Sequence, residues 1–118
     1  MLGEYYQSAR YTQMSREMID QISRDRLGSD PLYYANWERL LGFFVYEPFE
    51  VAVMGSRANE KSLEMQKSFN PLALYMGGEK ESLPLLENKH VEGRTIIYVC
   101  RNRVCKLPVE EVEKAIGQ

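Results

Sequence analysis

The period of the hydrophobic pattern changes once along this chain, at Tyr46-Glu47-Pro48-Phe49. Before that point apolar residues recur every three or four positions, which is the spacing of helices. After it they come in short runs closed by glycine or by a polar turn, which is the spacing of buried strands. A chain with this change is neither all-helical nor all-β. Its expected class is α/β: an N-terminal helical hairpin, then a small mixed sheet in the order β-α-β-β-β-α with helices packed against it. The expected units are residues 1–48 and 49–118.

The hairpin is read as follows. Tyr11, Met14, Met18 and Ile22, with Ile19 beside them, predict a helix over 4–26. Gly28 suits its C-terminal cap, Asp30 an N-cap, and Pro31 the first position of a second helix running to about Phe44. Tyr33, Tyr34, Trp37, Leu40, Leu41, Phe43 and Phe44 leave that second helix only a narrow polar face. Of 13 aromatic residues, ten lie in positions 1–49. That is too many for a hairpin beside a 70-residue sheet, so Tyr33, Tyr34, Trp37, Phe43 and Phe44 are the candidate interface.

Past the boundary, Val51-Ala52-Val53-Met54 predicts a strand ended by Gly55-Ser56. A helix over 58–69 would place Ala58, Leu63, Gln66 and Phe69 on one side and Lys61 outside. Leu72–Met76 predicts a second, parallel strand closed by Gly77-Gly78. Residues 82–87 suit one helical turn. Thr95–Cys100 is the strongest strand signal, turned at Arg101-Asn102-Arg103 into Val104–Leu107. Pro108 would start the last helix, with Val112, Ala115 and Ile116 inward and Glu110 paired to Lys114.

Cys100 and Cys105 carry the most chemistry. With Asn102-Arg103 as a two-residue loop, Cys100 stands directly opposite Cys105 in a non-hydrogen-bonded pair. Opposed Cβ atoms lie roughly 4.5–5.5 Å apart, whereas a disulfide prefers about 3.5–4.5 Å. A bridge here would be somewhat strained and readily reduced, and Arg101, Arg103 and Lys106 flank it with charge that favours thiolates. Three roles stay open: two small apolar thiols filling space, a cross-strand redox or structural bridge, or two ligands of a metal site that a partner chain or domain completes. A closed zinc site needs four ligands, and this chain offers two thiols and His90, so no metal or cofactor is expected.

Gly55-Ser56-Arg57, between a strand and a helix, is a weak anion-binding candidate, and Gly77-Gly78 would line the same edge. His90 lies in a polar stretch and reads as solvated. With 15 Lys+Arg against 17 Asp+Glu, the net charge of −2 argues against nucleic acid. No run approaches the ~20 apolar residues of a membrane span, and the first residues do not resemble a secretory signal. The expected setting is the cytoplasm, away from membranes.

The string Tyr98-Val99-Cys100, four residues, then Cys105-Lys106-Leu107-Pro108 resembles the C-terminal end of the YyaL-like, spermatogenesis-associated thioredoxin-domain proteins. Glu50–Gly55 and the turn Val91-Glu92-Gly93-Arg94-Thr95 fit the same region in order and spacing, so the resemblance covers about residues 31–118. It implies a parent chain with a thioredoxin-like domain and an α/α barrel of the six-hairpin glycosidase kind. Residues 4–44 would be the last hairpin of that barrel and residues 50–118 a terminal α/β domain. No catalytic residue carries over; only Cys100 and Cys105 match a family motif. The order from Thr95 to Ile116 also looks like the last third of a thioredoxin fold, with Arg94 where such a fold would place a cis-proline. The expected function is a non-catalytic packing domain whose partner is the rest of its own parent chain, with self-association of the isolated piece. The alternatives are a thiol redox accessory using Cys100/Cys105, or a cap on a sugar-binding barrel.

Overall fold

The computed structural model describes residues 2–22 and 24–118. The chain forms two compact units, one ending at Glu47 and the other beginning at Pro48. The architecture is mixed α/β: helices first, then a four-stranded mixed sheet with helices packed on it.

The first unit contains α1 (Leu2–Tyr5), α2 (Ala9–Asp20), α3 (Arg24–Ser29) and α4 (Pro31–Val45). The single helix expected over 4–26 is thus broken. Gln7 sits at φ +49°, and Ser8 caps a new start, its Oγ accepting the Tyr11 N–H at 3.5 Å. A serine that bonds the backbone ahead of it favours a helix beginning over a helix interior. The predicted apolar face also fails to bury: Ile19 is buried, whereas Tyr11, Met14 and Met18 are exposed. Gly28 lies inside α3 rather than capping it, so Asp30 alone separates α3 from α4. Asp30 and Pro31 do begin α4 as their chemistry predicts, with Asp30 Oδ1 accepting the Tyr33 N–H at 3.2 Å.

The second unit is a sheet in the order β2-β1-β3-β4, built from β1 (Phe49–Met54), β2 (Ala73–Gly78), β3 (Ile96–Arg101) and β4 (Val104–Cys105). The β1–β2 pair is parallel, joined through α5 (Ala58–Gln66). The β1–β3 and β3–β4 pairs are antiparallel. Side chains alternate between the two faces of a strand, and the central strands β1 and β3 bury both. On one face Val51, Val53, Ile97 and Val99 pack with Ala58 and Met65 of α5 and with Val112 and Ala115 of α6 (Val112–Ile116). On the other face Ala52, Met54, Leu74, Met76, Ile96 and Cys100 are buried, as are Leu85 and Leu86 of a single 3-10 turn, Pro84–Leu86, that lies against β1.

Both helices of this unit differ from expectation. α5 stops at Gln66 and turns Ala58 and Met65 inward, seven residues apart, with Lys61 half-buried beside them. Leu63 and Phe69 point to solvent, Phe69 at 88% exposure. Pro71 bars Asn70 from the helical region, and Asn70 instead accepts the Leu72 and Ala73 N–H groups to lead into β2. The last helix does not start at Pro108. Val109 exchanges two backbone hydrogen bonds with Ile97, at 2.7 and 3.0 Å, continuing the edge begun by β4. α6 therefore begins four residues after that proline and leaves Ile116 half in solvent. Glu110 pairs with Arg94 rather than Lys114, which pairs with Glu111. Arg94 holds the Glu110 carboxyl below the usual carboxylate range, mainly through that hydrogen bond.

Gly55 ends β1 at φ +131°, and any Cβ there would clash with the Arg94 carbonyl and with Thr95. Gly93, at φ +73°, faces open space. Gly55→Ala should therefore cost more than about 2 kcal/mol, from strain plus a forced backbone shift. Gly93→Ala should cost only about 1 kcal/mol. Urea midpoints of the two variants measured side by side check the difference.

Candidate functional site

The site is built on the β3–β4 hairpin. Asn102 and Arg103 have φ of +50° and +63°, the positive pair that a type I′ two-residue turn requires. Asn tolerates this conformation; for Arg103 it costs roughly 1 kcal/mol. The turn sets Arg101 against Val104 and Cys100 against Cys105. Lys106 N–H donates to Val99 O at 2.9 Å. Hydrogen-bonded rungs therefore stand on either side of the cysteines, and Cys100/Cys105 is the close, non-hydrogen-bonded pair. Their Cα atoms are 3.8 Å apart and their sulfurs are bonded to each other.

The two sulfurs sit in different surroundings. Cys100 is on the inner side of the pair, at 1% exposure. Cys105, on the edge strand, is half-buried. The flanking cations do not all serve the pair. Arg101 lies across the Phe49 ring, 4.2 Å from its centre, and Lys106 Nζ donates to Gln118 O. Both are drawn to the face opposite the cysteines, by the same alternation that puts Cys100 and Cys105 together.

The unexpected member is Glu50. Antiparallel register places it directly across from Cys100 on β1, so Glu50, Cys100 and Cys105 form one row across three strands on one face. Glu50 is only 4% exposed, and its Oε2 accepts the Arg103 N–H at 3.0 Å. That bond satisfies a buried carboxyl oxygen and clamps the tip of the turn to the centre of the sheet. Glu50 belongs to no sequence motif. Its signal is parity: it alternates with Phe49, Val51 and Val53 and so falls on the same face as Ala52 and Met54, in a strand that is otherwise wholly apolar.

Tyr98 occupies the same face two residues along β3. Its hydroxyl donates to Lys89 O at 3.0 Å, and burial pushes its phenol above the ordinary value.

The other candidates are placed as follows. Gly55 and Ser56 line a shallow depression at the end of β1 with Lys80 and His90, and the acidic Glu79 and Glu92 share it. Arg57 turns away: its guanidinium donates to both Glu60 carboxylate oxygens, at 2.8 and 2.6 Å, and its N–H donates to Thr95 Oγ1. Glu60 is held below the usual carboxylate range by that guanidinium. His90 is exposed, and its N–H donates to Glu81 Oε1.

In the first unit Tyr33 and Tyr34 meet edge to face, with ring centres 4.9 Å apart. Arg16 covers Phe44 and Arg39 lies over Phe43, while Trp37 is half-buried. No residue of α4 is fully buried. Among the described residues no group of three or more His, Cys, Asp or Glu is placed to hold a metal ion, and no helix is long and apolar enough to cross a membrane.

Comparison with family models, with curated proteins and with solved structures returns no match.

The unequal surroundings give a direct expectation. After reduction, Cys105 should alkylate with iodoacetamide at least about tenfold faster than Cys100, because the reagent must reach the sulfur. Peptide mapping at short reaction times reads the order; equal labelling of both would contradict the burial difference.

Proposed function

We propose that residues 49–118 form a thiol redox accessory domain, whose Cys100–Cys105 pair cycles between dithiol and disulfide within a larger thioredoxin-domain protein of the resembled family. The carrying observation is the bonded, directly opposed cysteine pair on an edge hairpin, with Cys105 half-buried and Cys100 buried across from Glu50.

A purely structural staple is the weaker account of the same bond. The bridge joins residues five apart in sequence. Closing so short a loop in the unfolded chain is worth roughly 2 kcal/mol by the loop-entropy relation, near the bottom of what disulfides contribute. The type I′ turn and the backbone rungs already define the hairpin.

In the reaction a Cys105 thiolate attacks one sulfur of a partner disulfide and expels a thiolate. The mixed disulfide is then resolved by Cys100, which expels the second thiolate. The domain loses two electrons and two protons, and the partner becomes two thiols. In the cytoplasm, where glutathione and thioredoxin keep most thiols reduced, such a bond would be transient, as a redox role requires.

Equilibration in glutathione buffers tests the proposal. The pair should be half-oxidised between about −270 and −180 mV, the range of reversible dithiol proteins. A bridge that survives below about −300 mV would identify a staple. Two thiols that stay reduced in oxidised glutathione would remove the redox role altogether.

A second role belongs to residues 1–48, and α4 favours it. This helix is rich in aromatic and aliphatic residues, yet contributes none to a buried core; Leu32 is 95% and Tyr33 74% exposed. We propose that this face, with Trp37, Phe43 and Phe44, packs against the rest of a parent chain as the wall of an α/α barrel would. The isolated chain should then self-associate as concentration rises, with a blue shift of Trp37 emission. A monodisperse monomer with unshifted emission counts against it.

A further inference from the structure

Glu50 and Thr95 are the two buried polar residues of the second unit. Thr95 is accounted for by its bond to the Arg57 N–H. Glu50 carries the more expensive burden, since a carboxyl taken out of water needs a reason as well as a partner. Its partner, the Arg103 N–H, would be served equally well by a neutral amide.

From its position we infer that Glu50 is the proton acceptor for Cys100, the group that lets the buried thiol act as the resolving nucleophile. This rests on the redox proposal above and assigns its two sulfurs distinct tasks. Glu50 and Cys100 are direct cross-strand neighbours on one face, with Cβ atoms roughly 4.5–5.5 Å apart for such a pair. A glutamate side chain spans that gap.

The balance of the step is simple. The Cys105 thiolate takes one half of a disulfide substrate and releases one thiolate. The Cys100 thiol gives its proton to the Glu50 carboxylate. The resulting sulfur anion attacks Cys105 Sγ, breaking the mixed disulfide and releasing the second thiolate. That thiolate takes the proton back from Glu50. Two thiols of the domain are oxidised, and one small-molecule or protein disulfide is reduced to two thiols.

A proton acceptor beside Cys100 matters because Arg101 and Lys106, the cations that flank the pair in sequence, are engaged away from it. Leu74 of β2 and Ala52 of β1 flank Glu50 on this face, and the Pro84–Leu86 turn brings Leu85 and Leu86 to the unit's core. From β3 the face receives Tyr98, whose phenol is bound to Lys89 O and whose ring has Lys89 Nζ 5.7 Å from its centre. Arg101 and Lys106 are engaged on the opposite face, and the Arg103 side chain is exposed at the turn. Glu87 beside the 3-10 turn is exposed as well.

The test uses the whole chain, reduced, freed of reductant and mixed with oxidised glutathione. Acid quenching and mass spectrometry follow the reduced, glutathionylated and bridged forms at several pH values. Glu50→Gln keeps an acceptor for the Arg103 N–H and removes the base. Wild type should resolve its mixed disulfide at a rate nearly independent of pH between about 6 and 8. Glu50→Gln should form the mixed disulfide as fast but resolve it at least about tenfold more slowly at neutral pH. Its rate should rise about tenfold per pH unit, as expected when only pre-formed thiolate reacts. Glu50→Asp keeps a carboxyl and should keep the flat profile. Equal resolving rates and equal pH slopes in wild type and Glu50→Gln would overturn the inference. So would a wild-type slope of about tenfold per pH unit, even if Glu50→Gln did not fold. If wild type itself forms neither the mixed nor the internal disulfide, it is the redox proposal that fails.

Discussion

The antiparallel pairing of β1 with β3 is the contact on which the second unit depends. It joins a strand that follows a helical segment to one 42 residues further on, and it pairs the two strands that are buried on both faces. Once this register is set, Val51, Val53, Ile97 and Val99 must share one face, because side chains alternate with a period of two. Glu50, Ala52 and Met54 must then share the other with Cys100, Tyr98 and Ile96. A slip by one residue would expose the apolar core and put a carboxyl among the helices. The parallel crossover through α5 and the edge strand β4 are added to this pair; neither could form a stable sheet alone.

Local chemistry was the legible part of the sequence. Asp30-Pro31 begins a helix because a carboxylate accepts its orphan N–H groups and proline lacks one. The four strands appear where short apolar runs meet turn residues. Asn102-Arg103 turns the hairpin so that the two cysteines oppose. The unread part is what depends on distant partners. Ser8 interrupts a helix whose apolar spacing continues on both sides of it. Leu63 and Phe69 match a helical stripe, but α5 offers the sheet Ala58 and Met65, which join Val51 and Val53 in one buried cluster. Val109 leaves the helix that Pro108 would have started because Ile97 has an open edge. Glu50 follows from parity alone, and its partner Arg103 N–H is 53 residues away.

The two units solve burial in opposite ways. The sheet unit closes its core within about seventy residues, using small and branched side chains and few rings. The helical unit holds most of the aromatic side chains and closes little; Arg16 and Arg39 lie over phenylalanine rings, and its largest helix has no buried residue. Cation–ring contacts of this kind are worth about 0.5–1 kcal/mol at exposed sites. They shield a surface without making a core. Covering Leu32 and Tyr33 by further protein would add what these contacts do not, removal of the apolar area from water.

The hairpin geometry does not rest on the sulfur–sulfur bond. The Lys106 N–H to Val99 O rung, the paired bonds between Val109 and Ile97, and the Arg103 N–H held by Glu50 are all made without either cysteine sulfur. Reduction therefore leaves two thiols facing each other across a strand pair whose spacing is set by the backbone. Preorganisation of this sort raises the effective concentration of one thiol at the other. It also places the cost of a wrong residue at an unexpected position. A substitution of Glu50 that leaves the Arg103 N–H without an acceptor would loosen the turn from the sheet and so disturb the cysteine pair from across the strand, although Glu50 stands 50 residues from Cys100 in the sequence and shares no motif with it. The chemistry of the cysteines is in this sense written in β1 as much as in the hairpin that carries them.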